Sequence, residues 1–292
     1  MVRRTPAKAT PSASKEASAQ SVAAEAGSSK AVFPAEDISL ADLKSTALQL
    51  RRDIVSMIAE AGSGHPGGSL SAVEILTSLY WKVMRHNPSN PHLADRDRFI
   101  LSKAHASPVL YAVLAHCGYF PREELWTFRK IGSRLQGHSP IMTPGGEMSG
   151  GSLGQGLSFG IGTALAARLD SRDSRVYVLL GDGECDEGQI WEAAMSATHY
   201  NVDNLVAIVD RNRIQNDRFT SEVMELEPLA EKWRSFRWHT IEIDGHSFPQ
   251  VLDALEEAKI IKGKPTAIIA ATVKGKGVSF MENNPEFHGK AP

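Results

Sequence analysis

The sequence predicts an α/β fold, a parallel sheet with helices on both faces. The first observation is a set of short, continuous apolar runs of the kind found in strands that are buried on both faces. These runs cover residues 176–180, 205–209, 238–243 and 266–273. The second observation is that helical patterns separate most of these runs. The third is that the connections are short, which favours crossovers between parallel strands.

The remaining elements follow in chain order. Apolar residues spaced three or four apart predict a helix through Leu43 and Ile58. Glycine and proline then disrupt regular structure at 62–68. Another helix is expected from Ser71 to about Val83. The other predicted elements are a short strand end at 99–102 and helices at 107–116, 154–169, 189–201 and 248–261.

Composition excludes several classes of protein. The 292 residues include 32 Lys and Arg against 34 Asp and Glu, a formal net charge of −2, so a general nucleic-acid binder is not indicated. No run of 18 apolar residues occurs, so no membrane-spanning helix is expected. The two cysteines, Cys117 and Cys185, have no metal-type spacing and suit a reducing compartment, so we expect a cytoplasmic protein.

The chain divides into a tail and one folded domain. Residues 1–36 are rich in Ala and Ser, basic near the start and almost free of large apolar side chains, so they predict a disordered tail. The basic residues leave an organelle transit peptide open as an alternative, although a solvated tail is favoured. Residues 37–292 form the predicted domain.

A carboxylate and an amide follow two of the predicted strands. Asp182, in Gly-Asp-Gly, follows the strand 176–180, and Asn212 follows the strand 205–209, 30 residues later. One crossover helix fits that separation, so both side chains should meet at the carboxyl edge of the sheet, where α/β folds bind ligands. Oxygen ligands at such an edge suit Mg²⁺ with a bound phosphate. The alternative is a plain strand-to-helix turn.

Gly-Asp-Gly followed by this asparagine resembles the thiamine diphosphate signature, and the longer stretch 181–217 is similar to the transketolase family. Further family-like strings occur in the same order, and the resemblance extends over roughly residues 40–292. They are SGHPGGSLSAVEIL at 63–76, LSKAHA at 101–106, QGHSP at 136–140, GGSLGQGLSFGIG at 150–162 and VKGKGVSFMENNPEFHGKAP at 273–292. The resemblance implies the family's thiamine diphosphate-binding fold. One departure is Ala104, where many relatives have glycine, so the local backbone there is in question.

The resemblance also implies a set of ligand-binding residues. Asp182, Asn212 and the main-chain carbonyl of Ile214 correspond to ligands of a divalent cation, Mg²⁺ or another such as Ca²⁺ or Mn²⁺. Glu187 corresponds to a carboxylate that communicates across a subunit interface. The residues expected at thiamine diphosphate are His105, Gly151, Leu153, Gly183, Glu184, Glu187 and Asn212.

Four histidines are implied as catalytic residues lining the cofactor and substrate channel. His65 lies in a glycine- and proline-rich loop with no hydrophobic period to explain it. His105 could instead be a capping or core residue, and His138 a turn residue. His288, near the end of the chain, is supported by its motif alone. Imidazoles suit this chemistry because they donate and accept protons near neutral pH. His246, in Asp244-Gly245-His246, is interpreted as a turn residue.

The resemblance implies only part of a complete transketolase. The family's catalytic glutamate lies in a second, pyrimidine-binding domain, and no second parallel-sheet region follows residue 273. We therefore expect the N-terminal subunit of a two-chain transketolase. With a C-terminal partner subunit, in an α₂β₂ assembly, it would transfer a two-carbon ketol unit from a ketose phosphate to an aldose phosphate.

Two classes of alternative remain open. The α subunit of a thiamine-dependent 2-oxo acid dehydrogenase shares Gly-Asp-Gly and the asparagine, although the strings SGHPGG, SKAHA and FHGKAP argue against it. A non-catalytic relative that retains the fold is disfavoured because Asp182, Asn212 and the four histidines are all present.

Overall fold

A computed structural model describes residue 34 and residues 38–216 and 218–292 of the chain. The predicted tail, apart from Pro34, lies outside the described residues. Within the described residues, no helix combines the length and the apolar character that crossing a membrane requires.

The core of the domain is a five-stranded parallel sheet, which confirms the predicted α/β class. Its spatial order is β1, β2, β3, β7 and β6. These strands are β1 (Arg98–Leu101), β2 (Val176–Gly181), β3 (Leu205–Arg211), β7 (Thr266–Ala271) and β6 (His239–Asp244). A separate antiparallel pair, β4 (Ile214–Gln215) and β5 (Arg218–Phe219), follows β3 directly.

Helices cover both faces of this sheet. One face packs against α1 (Leu40–Ala61), α3 (Val73–Ser78), α4 (Ser107–His116) and α9 (Phe248–Ile260). The other packs against α5 (Gln155–Leu169), α6 (Gly188–His199) and α8 (Leu229–Ser235). Strand residues alternate between the two cores as the pleat requires: Tyr177 belongs to the first and Val178 to the second. A short helix, α7 (Thr220–Val223), follows β5.

Helix α1 shows how local sequence sets an element. Its N-cap Ser39 accepts a hydrogen bond from the Asp42 amide, and the Asp42 carboxylate accepts one from the Ser39 amide. This reciprocal pair satisfies amides that have no partner within the helix. The helix ends at Gly62, whose φ of 62° is the left-handed conformation that glycine adopts without strain.

The glycine- and proline-rich segment differs from its prediction. Instead of a simple break, it contains α2 (Pro66–Leu70), with Pro66 at the first helical position. Proline is tolerated there because an amide at that position would have no acceptor within the helix. Glycine is needed there because a Cβ on Gly67 would lie 2.9 Å from Lys274 Cγ. The helix predicted from Ser71 to about Val83 is likewise two pieces, α3 and a π-helical turn at Leu79–Val83.

The register of the sheet positions the site. Gly181 at the end of β2 is paired with Asp210 near the end of β3. The turns that follow both strands therefore begin side by side at the carboxyl edge, next to the end of β7. This edge receives the loops in which sequence reasoning placed its candidate ligands.

Candidate functional site

A cavity lies at this carboxyl edge and collects residues from widely separated segments. Asp182, Asn212 and Ile214, the predicted cation ligands, all line it. The others are Gly68, Lys103, His105, Leu153, Gly181, Gly183, Glu184, Gln215, Asn216, Lys274 and His288. Five polar groups that line the cavity, Asp182, Asn212, the Ile214 carbonyl, Lys103 and Lys274, are here called the cation edge, together with Asp210, which is fully buried and bonds to Lys103 and Asn212.

The Asp182 carboxylate is buried and held by main-chain groups. It accepts hydrogen bonds from the amides of Gly183 at 2.9 Å and Arg213 at 2.5 Å. Burial, followed by the charge of Asp210, raises the pKa of Asp182 to about 6. Within the described residues Asp182 has no ion pair. A bound cation would offset its burial, so this carboxylate suits a metal ligand.

Asn212 is oriented by its neighbours. Its side-chain Nδ2 donates to Asp210 Oδ2 at 3.2 Å, and its Oδ1 accepts from the Ile214 amide at 3.1 Å. The Asp210 bond fixes which end of the amide is the oxygen, and an amide oxygen is a ligand that Mg²⁺ accepts.

Asp210 is the buried centre of the cation edge. Its carboxylate pairs with the Lys103 ammonium and accepts hydrogen bonds from Thr272 Oγ1 and, at 2.6 Å, from Ser71 Oγ. Burial alone would raise the pKa of Asp210, but the Lys103 charge and these hydrogen bonds outweigh it and lower the pKa. Asp210 therefore remains a carboxylate that organises the residues around it.

The Ile214 carbonyl, the third predicted metal ligand, contacts a lysine side chain. The buried Lys274 ammonium donates to it at 2.9 Å. Burial and the charge of Lys103 lower the pKa of Lys274 to about 8. Among the described residues, no group of three or more His, Cys, Asp or Glu side chains is arranged to hold a metal. Of the predicted metal ligands, only Asp182 belongs to these four residue types, so that finding does not test this set. Its role in binding a metal stays a prediction.

Glu184 and Gly183 lie where the diphosphate was expected. Oxygens of the buried Glu184 carboxylate accept hydrogen bonds from Ser102 Oγ and the amides of Gly154 and Gly181. Glu184 therefore ties the turn after β2 to the start of α5 and has little capacity for a ligand. Gln215 packs over Gly183, where a Cβ would lie 2.7 Å from Gln215 Cγ.

The other predicted cofactor residues lie at different depths. Leu153 lines the cavity, whereas Gly151 and Glu187 are exposed. Glu187 lies at the start of α6, beside Gly154. Ala104, the departure from the family pattern, is accommodated because residue 150 is glycine; any side chain at that position would clash with the Ala104 methyl group.

The four predicted histidines come together beside the cavity as a histidine cluster. His65, His105 and His288 form a triangle whose ring centroids are 5.2–5.3 Å apart. The His138 ring is 6.3 Å from that of His65 and is exposed, whereas His105 and His288 also line the cavity. The cluster therefore extends from the cavity to the surface.

Electrostatics keeps the inner histidines neutral. Burial first, and then neighbouring positive charges, lower the pKa of His65 to about 4 and that of His288 to about 3. The same causes lower the pKa of His105 well below its ordinary value. Within the described residues, the rings of His65 and His105 have no hydrogen-bond partner. Neutral imidazoles with free nitrogens can both donate and accept protons.

Three cationic residues of the site were not predicted as functional. Lys103 and Lys274 lie within the strings SKAHA and VKGKG, but a lysine in sequence ordinarily indicates surface. Arg129 is exposed, and its guanidinium lies against Gly137, where a Cβ would be 3.0 Å from Arg129 Cζ. It has no ion pair or hydrogen bond from its side chain within the described residues, and its charge contributes to lowering the pKa of His65.

Comparisons with known proteins place this chain in a family. The family model for the transketolase thiamine diphosphate binding domain matches residues 43–292 of this chain. The 6-deoxy-6-sulfo-D-fructose transketolase subunit SqwG of Clostridium sp. (strain MSTE9) is 46% identical over 85% of this chain and 90% of that protein. One of the subunits of the apulose-4-phosphate transketolase of Phocaeicola vulgatus is 43% identical over 83% of this chain and 86% of that protein.

Solved structures agree with the sequence comparison. The crystal structure of transketolase from Campylobacter jejuni matches with a TM-score of 0.83 and 33% identity, covering 87% of this chain and 41% of that one. The chain thus spans about two fifths of that transketolase, as it does of human transketolase, of which it covers 40% at 42% identity. These findings confirm the resemblance and do not favour the 2-oxo acid dehydrogenase alternative. The chain belongs to the transketolase family, of which it carries the thiamine diphosphate-binding domain.

Proposed function

We propose that this chain is the N-terminal subunit of a two-chain transketolase. It transfers a two-carbon ketol unit reversibly from a ketose phosphate to an aldose phosphate, using thiamine diphosphate and Mg²⁺. The observation that carries the proposal is the juxtaposition of the cation edge with a cluster of neutral histidines. The cation edge alone could bind many phosphate ligands together with a metal ion. The histidines add groups capable of proton transfer next to it.

The chain's own residues fit a metal diphosphate. Asp182, Asn212 and the Ile214 carbonyl would hold Mg²⁺, since together they offer three oxygen ligands and leave further positions for phosphate and water. The Lys274 ammonium would then leave the Ile214 carbonyl and neutralise the diphosphate, helped by the Gly183 turn. When bound, thiamine diphosphate supplies the electron sink for the two-carbon unit.

The histidine cluster handles protons in this proposal. His65, His105 and His288 stay neutral near pH 7, so each can donate to or accept from a substrate hydroxyl. Their position beside the cavity supports a role next to a substrate bound at the cofactor. His138, at the exposed end, meets substrate as it enters.

Arg129 supports a substrate with an anionic end. Its guanidinium, which has no ion pair within the described residues, lies beside Gly137 in the turn that carries His138. Two relatives are named for substrates with a sulfo or a phosphate group, 6-deoxy-6-sulfo-D-fructose and apulose 4-phosphate. Arginine binds such groups well because its planar donors match their oxygens.

A partner chain would complete the enzyme. The two relatives of similar length are named as subunits. The transketolase of Campylobacter jejuni is more than twice as long as the part of it that this chain covers. We propose a C-terminal subunit with the pyrimidine domain, in an α₂β₂ assembly with Glu187 at an interface. The two free cysteines support a cytoplasmic location.

A complementation assay tests the proposal. Ketol transfer from xylulose 5-phosphate to ribose 5-phosphate is measured with thiamine diphosphate and Mg²⁺, for this chain alone and mixed with the product of the adjacent reading frame. We expect ketol transfer only in the mixture and none with this chain by itself. Full activity of the single chain would contradict the two-chain proposal. Oxidative decarboxylation of 2-oxo acids by the mixture, without ketol transfer, would favour the dehydrogenase alternative.

A further inference from the structure

Lys274 is a buried lysine whose position matters to the whole site. Its ammonium is 2.9 Å from the Ile214 carbonyl and 2.8 Å from His288 Nδ1, so one side chain joins the cation edge to the histidine cluster. A lysine has four rotatable side-chain bonds and loses considerable entropy when it is held in one conformation. Its placement therefore depends on a main chain that is fixed on both sides of it.

Hydrogen bonds fix the main chain on both sides of Lys274. Each joins the segment 273–276, which follows β7, to a different part of the domain. They run from the Val273 amide to His246 Nε2 at 2.8 Å, from the Gly275 amide to the Gly67 carbonyl at 3.0 Å, and from Arg51 Nε to the Lys276 carbonyl at 3.0 Å.

The two side chains that form these bonds, His246 and Arg51, both contact the carboxylate of Glu74. Because His246 Nε2 accepts the Val273 amide hydrogen, the proton of a neutral ring must be on Nδ1, which lies 2.9 Å from Glu74 Oε2. The same Glu74 carboxylate pairs with Arg51 at 2.7 Å. Glu74 thus orients both the imidazole that holds Val273 and the guanidinium that holds Lys276.

The three side chains are well shielded from solvent. Their exposed fractions are 12% for Arg51, 10% for Glu74 and 13% for His246. Burial would raise the pKa of Glu74, but the bonds from His246 and Arg51 outweigh it and lower the pKa, so the carboxylate stays charged. Hydrogen bonds of this charged kind are the strong ones, and they fix orientation.

We propose that Arg51, Glu74 and His246 are positioning residues for Lys274, and that they set diphosphate affinity without contacting the cofactor. The inference rests on the proposed function, since it takes the cavity to hold thiamine diphosphate. It assigns a role to His246, which the sequence indicated only as a turn residue.

The alternative is that the network merely joins α1 and α3 to the sheet. In that case its loss would weaken the fold and the site regardless of what stands at position 274. If the network acts through Lys274, its loss should have no further effect once the Lys274 ammonium has been removed. A double-mutant cycle separates these two outcomes.

The experiment measures thiamine diphosphate affinity by fluorescence titration with Mg²⁺ present, on the two-chain complex. The variants are His246→Phe, Lys274→Met and the double variant, with thermal midpoints recorded for each. We expect His246→Phe to weaken binding about 10-fold or more, as loss of an outer-shell partner does, and Lys274→Met to weaken it at least as much. The double variant should bind within about twofold of Lys274→Met alone, because coupled residues are non-additive.

His246→Gln serves as the rescue variant, because a glutamine can accept at one atom and donate at another. It should restore most of the lost affinity. Glu74→Gln enters the same cycle and tests the network if His246→Phe does not fold. Additive losses in the cycle, or unchanged affinity in both His246→Phe and Glu74→Gln, would overturn the inference. A wild-type complex that binds no thiamine diphosphate would instead overturn the proposed function.

Discussion

The cation edge and the histidine cluster are adjacent but differ in how their polar atoms are satisfied. At the cation edge the buried side chains of Asp182, Asp210 and Lys274 all have partners from the chain itself. In the cluster, the rings of His65 and His105 have none within the described residues. In the proposed function, the first region holds a ligand in a fixed place with side chains that the protein already orients, and the second exchanges protons with groups that arrive from outside.

The largest expected effect on stability is at the centre of the cation edge. Asp210→Asn leaves the buried Lys103 ammonium without its counter-charge, and breaking one partner of a buried pair costs about 3–5 kcal/mol. Urea denaturation should show this loss. Lys103→Met combined with Asp210→Asn should regain part of it, since no unpaired charge then remains. Equal stability of Asp210→Asn and the wild type would show that the edge is not held by this pair.

A change at Asp182 separates holding a ligand from holding the fold. Asp182→Ala removes a proposed metal ligand and should weaken thiamine diphosphate binding in the presence of Mg²⁺ by more than ~100-fold. The unfolding midpoint should change little, because removal of a buried carboxylate that has no ion pair within the described residues offsets the loss of an acceptor for the Gly183 and Arg213 amides. Titration of the two-chain complex provides the measurement. Asp253→Asn, an exposed carboxylate on α9, is the matched control and should bind like the wild type.

A change in the histidine cluster should have the opposite signature. His65→Asn should lower ketol transfer about 100-fold, the usual size of a general acid or base contribution, and leave thiamine diphosphate affinity within about twofold. Steady-state rates and cofactor titration on the same preparation test both parts. His92→Asn, an exposed histidine outside the cluster, is the control. A matched loss of binding would mean that the two regions are not separable.

The cluster should also make stability depend on pH. The folded-state pKa values of His65 and His288 are lowered to about 4 and about 3, so the unfolded chain binds more protons than the folded chain below pH 6.5. Stability should therefore fall as the pH decreases from 6.5 towards 4, by about 1 kcal/mol for each of these partly exposed groups. Urea midpoints between pH 7.5 and 5 measure this slope. His65→Asn with His288→Asn should flatten it; an unchanged slope would assign it to other groups.

The smallest expected effect lies at the exposed end of the cluster. Arg129→Gln should raise the KM for xylulose 5-phosphate about 10-fold, a typical cost of one charge-assisted hydrogen bond, with little change in kcat. Erythrulose, a donor without a phosphate, should be affected by less than about twofold. Initial-rate kinetics with both donors make the comparison. An equal rise in KM for both would indicate a role unrelated to the anionic end.

The two regions also differ in how far sequence reasoning could define them. Asp182 and Asn212 could be placed together because strand ends in a parallel sheet share one edge, and the register of β2 with β3 brings their turns side by side. Lys274 could not, because a flexible side chain reaches the site from a distant segment and no periodicity shows where its ammonium lies. The same applies to the His246 network, whose members are close only after folding.

Local packing accounts for the remaining differences. The glycines near His65 were interpreted as a break, yet Gly67 lies within α2, where Lys274 packs so closely that a side chain would not fit. Glu184, which was predicted at the cofactor, lines the cavity, and its carboxylate also accepts hydrogen bonds from Ser102, Gly154 and Gly181 that the sequence did not indicate. In both cases the deciding partners come from elsewhere in the chain.

In the proposed function, this chain holds the cofactor and a partner chain completes the reaction. Titrating the partner chain into this one at fixed thiamine diphosphate and Mg²⁺, while bound cofactor and ketol transfer are followed together, tests it most directly. We expect cofactor binding, though weak, before partner is added, and transfer that rises from zero and saturates at one partner per chain. Transfer without partner, or no cofactor binding until an excess of partner is present, would contradict the claim.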